Sequence, residues 1–317
     1  MADDMKHIAI IDLGTNTFHL LITEINDTVV VPGNICKKTI PVKLGHNGIN
    51  QGFIHSDAFL RGIKALENFH QLIIQHKVNQ VKAMATAAIR NASNGDDFIA
   101  EVKKKTGIEI EIIDGETEAC LIYAGVREAV KLGTETGLIM DIGGGSVEFI
   151  LCNSTEIFWK RSFPLGAAKM MDQFHHSDPI SKQDVQLFTD HLDETLPELI
   201  NQCIQYQPTK LIGSAGAFET FEELVRRRFH SEEKEKNLPG RQINLDHFNV
   251  MASLLLQSTH EERSEMPGLV ALRVDMIVLA TLLTQFIVNR LSIKKLTISE
   301  YSLKEGILFD LISKGDI

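Results

Sequence analysis

Cysteine, basic charge and long apolar runs are what this chain has little of, and each shortage narrows what it can be. Its four cysteines, Cys36, Cys120, Cys152 and Cys203, lie far apart with no Cys-x-x-Cys pair. That excludes a zinc-ligand spacing and a disulfide framework, and reduced thiols are the expectation. Lys and Arg total 32 against 42 Asp and Glu, a net charge of −10. A nucleic-acid-binding face needs clustered cations against phosphates, so none is expected, and a polyanionic ligand would have to meet a local positive site. No run approaches the roughly 20 apolar residues of a membrane span. The N-terminal MADDMKH is acidic and lacks the apolar stretch of a signal peptide, so the expectation is a cytoplasmic protein without a membrane partner. The remaining composition, 44% hydrophobic and 23% charged over 317 residues, suits a globular chain of about two domains.

Two stretches carry most of the information, Ile8–Ile22 (IAIIDLGTNTFHLLI) and Leu138–Leu151 (LIMDIGGGSVEFIL). Each has a β-rich run ending in Asp (Asp12, Asp141), a Gly-bearing turn (Gly14; Gly143, Gly144, Gly145), small hydroxyl residues (Thr15, Thr17; Ser146) and a second β-rich run. Glycine lets backbone N–H groups approach a phosphate closely, so Gly14, Thr15, Asn16 and Thr17 on one side and Gly143–Ser146 on the other are candidate phosphate clamps. Asp12 and Asp141 can reach a Mg²⁺ riding on that phosphate, or can simply cap their own turns. Two such turns in different halves of the chain imply a duplicated α/β fold.

This plan, with ATAAIRNASN at Ala85–Asn94, IIDGETEACLIYAGV at Ile112–Val126, PLGAAKM at Pro164–Met170, LIGSAGA at Leu211–Ala217, RVDMIVLA at Arg273–Ala280 and TISEYSLKEGIL at Thr297–Leu308 in order, resembles the exopolyphosphatase / guanosine pentaphosphate phosphohydrolase family. That family belongs to the superfamily of acetate and sugar kinases, Hsp70 and actin. The resemblance implies duplicated actin-like (ribonuclease H-like) domains with mixed sheets flanked by helices and a cleft between them. Domain I would span 1–131, completed by a C-terminal helix at 302–317, and domain II 132–301, with hinges near Lys131–Thr136 and Glu300–Ser302. It further implies a Mg²⁺-dependent hydrolase removing the terminal phosphate of polyphosphate, and a homodimer. The 5′ end of guanosine pentaphosphate is the alternative substrate; a small-molecule kinase and a non-catalytic polyphosphate or alarmone sensor are the other classes.

By the same resemblance Glu118 activates the attacking water, Glu148 is a second functional acid, and Arg90 holds a phosphate oxygen with its forked guanidinium. Glu116 is the decoy, since the first turn of any helix favours acids. Lys169 stands where the family more often has Arg. Gly213, Ser214 and Gly216 belong to a further phosphate-binding turn, but Ala215 and Ala217 replace two hydroxyls usual there, and long-polymer handling by the extra helical domains of long members is not expected. His19 is expected to be a hydrogen-bonded core residue and His175–His176 an accidental surface pair.

Hydrophobic periodicity predicts strands at His7–Asp12, Thr17–Ile25, about Ile35–Leu44, Val81–Thr86 and Ile108–Ile113, with helices at His55–Gln75, Asp97–Lys105 and Glu116–Lys131. The second half predicts strands at Gly137–Asp141, Val147–Cys152, Ile157–Phe163, Lys210–Ile212 and Lys295–Ser299. Its helices are placed near Lys182–Gln205, from Gly216, and at Leu245–Gln257, about Arg273–Asn289 and Leu303–Ile312. The charged stretch Arg226–Arg241 reads as a loop or frayed helix end.

Overall fold

The structure, a computed structural model, describes residues 6–26, 29–229 and 238–316. The chain divides into two compact units, 1–125 with 303–317 and 126–302.

The first unit opens with β1 (Lys6–Leu13), β2 (Thr17–Asn26) and β3 (Val29–Pro41), an antiparallel meander. There follow α1 (Ser56–Gln75), β4 (Gln80–Ala85), the single turn α2 (Ala87–Arg90), α3 (Gly95–Thr106), β5 (Ile110–Ile112) and α4 (Gly115–Ala129). The sheet order is β3-β2-β1-β4-β5, with β4 and β5 parallel to β1. Helix α1 starts at a His55 cap that accepts from Asp57 N–H. It buries Ala58, Ile63, Leu66, Phe69 and Ile73 along one stripe, as an amphipathic helix on a sheet must. Gly62 lets it approach α3, because a Cβ there would stand 2.7 Å from the Phe98 ring.

The second unit repeats the meander with β6 (Gly137–Ile142), β7 (Val147–Cys152) and β8 (Ile157–Phe163). Then come α5 (Ala167–Phe174), α6 (Lys182–Thr195), α7 (Pro197–Tyr206), β9 (Lys210–Ser214), α8 (Gly216–Phe229), β10 (Gly240–Ile243), α9 (Leu245–Gln257), α10 (His260–Ser264), α11 (Met276–Arg290) and β11 (Lys295–Ser299). Its sheet order is β10-β11-β9-β6-β7-β8. Read from the β8 edge, β8-β7-β6-β9-β11 corresponds to β3-β2-β1-β4-β5, with the same antiparallel and parallel senses. The duplicated α/β plan expected from the two turns is therefore present as two mixed sheets with flanking helices. Helix α11 is buried continuously from Ile277 to Thr284 and forms the centre of this unit's core, where each fully buried large aliphatic or aromatic side chain contributes roughly 1.5–3 kcal/mol. The chain then returns to the first unit as α12 (Leu303–Lys314), whose Gly306 lies so close to Leu121 that a Cβ would meet its carbonyl oxygen at 1.8 Å.

The helices expected near Lys182–Gln205 are α6 and α7, parted at Pro197, which has no N–H to continue α6 and is suited to the first turn of α7. Several other expectations need correction. Helix α5, inside and beyond PLGAAKM, has no counterpart among the predicted elements, nor has the short α10, started by a capping box of Thr259 and Glu262. The helix placed at Arg273 starts at Met276, with Arg273 in a preceding 3-10 turn. Of the charged stretch, Arg226–Phe229 is the end of α8 and Gly240–Arg241 is strand, held to Ser299 and Ile298 across β11; residues 230–237 lie outside the described residues.

Candidate active site

The two Gly-bearing turns are built alike. Gly14 N–H donates to Thr17 O at 3.1 Å and Gly143 N–H to Ser146 O at 3.0 Å. Each of these amides closes its hairpin, so a phosphate would be met by amides further into the turns, such as those of Thr15, Gly144 and Gly145. Each turn is also braced from outside. Asn16 O accepts from Val42 N–H and Lys43 N–H, and Thr15 O from Gly45 N–H. In the second unit Gly143 O accepts from Ala167 N–H at 2.9 Å and Gly144 O from Lys169 N–H at 3.1 Å. Both braces carry a Leu-Gly pair, Leu44-Gly45 and Leu165-Gly166, whose glycine sits against the turn. A Cβ on Gly45 would stand 2.7 Å from the Thr15 methyl, and one on Gly166 2.3 Å from Gly145 backbone atoms. This repeated dipeptide is a second mark of the duplication that the chain carries in its sequence.

Two residues after the turn-closing Thr17 and Ser146, the units differ. Asp12 pairs across the sheet with His19, and Asp141 with Glu148. His19 is half-buried, with Nε2 2.9 Å from Thr17 Oγ1 and Nδ1 3.0 Å from Thr39 Oγ1; it is hydrogen-bonded as expected. Glu148 is fully buried and accepts from Ser162 Oγ at 2.6 Å. Ser162, placed opposite Glu148 by the β7–β8 register, is a site residue that the sequence does not disclose. Asp141, Ser146 and Thr15 are buried and Asp12 is half-buried.

Arg90 and Glu118 come together within the first unit. Arg90 ends α2, and its Nη1 donates to Ile113 O at 2.6 Å and to Glu118 Oε2 at 3.1 Å. Glu118 is buried in the first turn of α4, whereas Glu116 is exposed. The turn is fixed by Asp114, whose side chain accepts from Thr117 N–H at 2.7 Å; that hydrogen bond holds the Asp114 carboxyl below its ordinary pKa.

In the second unit's further turn, Gly213 lies in β9 and Ser214 is fully buried, its hydroxyl 3.5 Å from Tyr301 O. Phe218 fills the space beside Gly213, and the Arg273 guanidinium fills that beside Gly216, 2.0 Å from where a Cβ would stand. Arg273 donates to Thr220 Oγ1 at 2.7 Å and pairs with Glu219 at 3.1 Å, a bracing role that its place in RVDMIVLA does not reveal. Ala215 adopts φ 66°, a left-handed conformation costly for a residue with a Cβ. At Gly213 and Gly216 the absence of a side chain thus has a packing reason. Lys169 is half-buried. The surface reading of the histidine pair holds only for His176, whose Nδ1 is 2.9 Å from Asp184 Oδ1. His175 is half-buried with an enclosed Nε2 that has no hydrogen-bond partner, and its burial pushes its pKa down.

Among the described residues no three His, Cys, Asp or Glu side chains are grouped to hold a metal ion. The neighbouring carboxylates Asp141 and Glu148 nonetheless form an oxygen-only donor pair. That fits Mg²⁺, which uses one or two carboxylates and completes its shell with water and substrate phosphate.

The sequence pattern of the Ppx/GppA phosphatase family matches residues 21–315. The chain belongs to this family. Its relatives include an exopolyphosphatase of Cytophaga hutchinsonii of known structure, 38% identical, with a TM-score of 0.94 and 98% of each chain covered. Exopolyphosphatase 1 of Mycobacterium tuberculosis is 27% identical over 98% of this chain and 89% of that protein. The Aquifex aeolicus Ppx/GppA enzyme, 24% identical with a TM-score of 0.79 over 96% of this chain and 99% of that one, shares the fold. No described helix is long and apolar enough to cross a membrane.

Proposed function

We propose that this Ppx/GppA-family protein is a Mg²⁺-dependent exopolyphosphatase that releases the terminal phosphate of inorganic polyphosphate. The observation that carries the reading is the full-length match, at 38% identity, to a structure described as an exopolyphosphatase. The buried, arginine-paired Glu118 supports it as well. In this reading the Glu118 carboxylate takes a proton from water as that water's oxygen bonds to the terminal phosphorus. The P–O bond to the rest of the polymer breaks, and orthophosphate and a chain shorter by one unit leave. Arg90 both orients Glu118 and offers its remaining guanidinium N–H groups to phosphate oxygens. The turns Gly14–Thr17 and Gly143–Ser146 hold phosphates through amides and hydroxyls, with Gly213, Ser214 and Gly216 adding a backbone contact. Asp12 and Asp141, with Glu148 completing the shell or sharing the base role, would hold Mg²⁺, which when bound neutralises charge on the phosphoryl oxygens. The working form is a cytoplasmic homodimer.

A phosphate-release panel of short and long polyphosphate, guanosine pentaphosphate and ATP, with and without Mg²⁺, tests this. Release from polyphosphate that requires Mg²⁺ is expected. Release from guanosine pentaphosphate alone would move the substrate to the alarmone, and no release from any would leave a binding protein.

A further inference from the structure

We propose that His19 is a positioning residue of the first phosphate turn: its Nε2–H donates to Thr17 Oγ1, which leaves the Thr17 hydroxyl proton to be given to a phosphate oxygen. This deepens the function proposed above and rests on the phosphate-binding role given there to Thr17. Thr17 and His19 are two apart on β2 and so share a face of the sheet, while Thr39 lies directly opposite His19 on β3. The imidazole is 2.9 Å from one hydroxyl and 3.0 Å from the other.

A hydroxyl has one proton to give, and a ring nitrogen without a proton can only accept. If Nδ1 carried the proton and Nε2 did not, Nε2 would take the Thr17 proton, and Thr17 would turn lone pairs toward the turn and repel an anion. If Nε2 carries it, Thr17 accepts from the ring and points its own proton outward.

The second unit shows which way this row runs. At the place equivalent to His19 stands Glu148, and at that of Thr39 stands Ser162, whose hydroxyl donates inward to Glu148 at 2.6 Å. An outer-strand hydroxyl that donates inward is therefore already present in the duplicated row. Thr39 donating inward to Nδ1 is its counterpart, and this requires the proton on Nε2. The two halves thus differ at one position by hydrogen-bond character. The first half has a donor that turns a threonine toward phosphate, the second an acceptor.

The test uses the full-length protein. Nitrogen-15 NMR of the histidine rings, with His19 assigned by its loss in His19→Gln, should show the Nε2–H form; an Nε2 without a proton overturns the proposal. Calorimetric binding of tripolyphosphate with Mg²⁺ is then measured in a Glu118→Gln background, so that no turnover intervenes. His19→Leu and Thr17→Val should each weaken binding about tenfold, and together no more than Thr17→Val alone. His19→Gln keeps an N–H donor and should lose less than about threefold. Additive losses near a hundredfold, or no loss in Thr17→Val, would overturn the proposal even in an enzyme that hydrolyses polyphosphate. A wild-type protein inert toward polyphosphate would instead refute the substrate reading, and the tautomer measurement would still decide His19. Should His19→Leu fail to fold, His19→Gln and the ring spectrum retain the test.

Discussion

Asp141 and Glu148 stand opposite each other on adjacent antiparallel strands, and both are buried. Like charges directly across a sheet repel, and burial makes each ionised carboxylate costly unless something positive or a hydrogen-bond donor meets it. Ser162 meets one oxygen of Glu148.

Asp141→Asn should therefore raise the Mg²⁺ concentration needed for half-maximal activity, because a neutral amide is a poorer ligand for a hard cation. Asp12, half-buried and opposite His19 rather than a second acid, should respond in the same direction but more weakly on conversion to Asn. Metal titrations unchanged in both variants would reduce these residues to braces of their turns.

Glu118→Gln keeps the shape of the side chain and removes the base, so phosphate release should fall by about 10²-fold or more while tripolyphosphate binding persists. Glu116→Gln, at an exposed position in the same helical turn, should retain most activity. Arg90→Lys should also fall in activity, since one ammonium cannot reproduce the bond to Ile113 O, the pair with Glu118 and a forked contact to phosphate. Comparable turnover in Glu118→Gln and Glu116→Gln would refute the assignment.

Gly166→Ala should damage the second turn from outside it. The added Cβ would stand 2.3 Å from the Gly145 backbone, and backbone cannot rotate away as a side chain can, so a loss of about 1–3 kcal/mol or more is expected, read as a lowered denaturation midpoint together with lost activity. Gly107→Ala is the comparison: φ is +72° there but nothing lies within 4 Å of the new atom. It should cost about 1–2 kcal/mol for the left-handed backbone alone and leave activity intact.

Burial pushes the Cys152 and Cys203 thiols up to about 12, whereas Cys36 is half-buried and Cys120 exposed. At pH 8 the buried pair is about one part in 10⁴ thiolate, the reactive form. A colorimetric thiol reagent should count two groups in the native protein and four after denaturation. Rapid reaction of all four without denaturant would contradict the burial.

Local chemistry in the chain determines much of this protein. Alternation, an acid at a strand end and glycine in the turn specify both hairpins, and the motif around Glu118 separates it from Glu116, a choice that burial of one and exposure of the other parallels. The break at Pro197 is legible in the same terms, since a proline that cannot continue one helix is well placed to begin the next. Other features depend on pairing between distant segments, which no local pattern carries. Residues two apart on a strand share a face, so Thr17 and His19 can be linked from spacing alone; that Thr39 and Ser162 complete the two rows depends on β2–β3 and β7–β8 register. Arg90 and Glu118 are 28 positions apart, joined because α2 and α4 follow neighbouring parallel strands of one sheet. Gly166 and Gly216 read as parts of motifs, and only packing shows what occupies the space each leaves, a backbone turn in one case and the Arg273 guanidinium in the other. Sequence determined which groups were offered, and tertiary register determined which of them meet, because hydrogen-bond partners a few ångströms apart are selected by the whole sheet rather than by their neighbours in the chain.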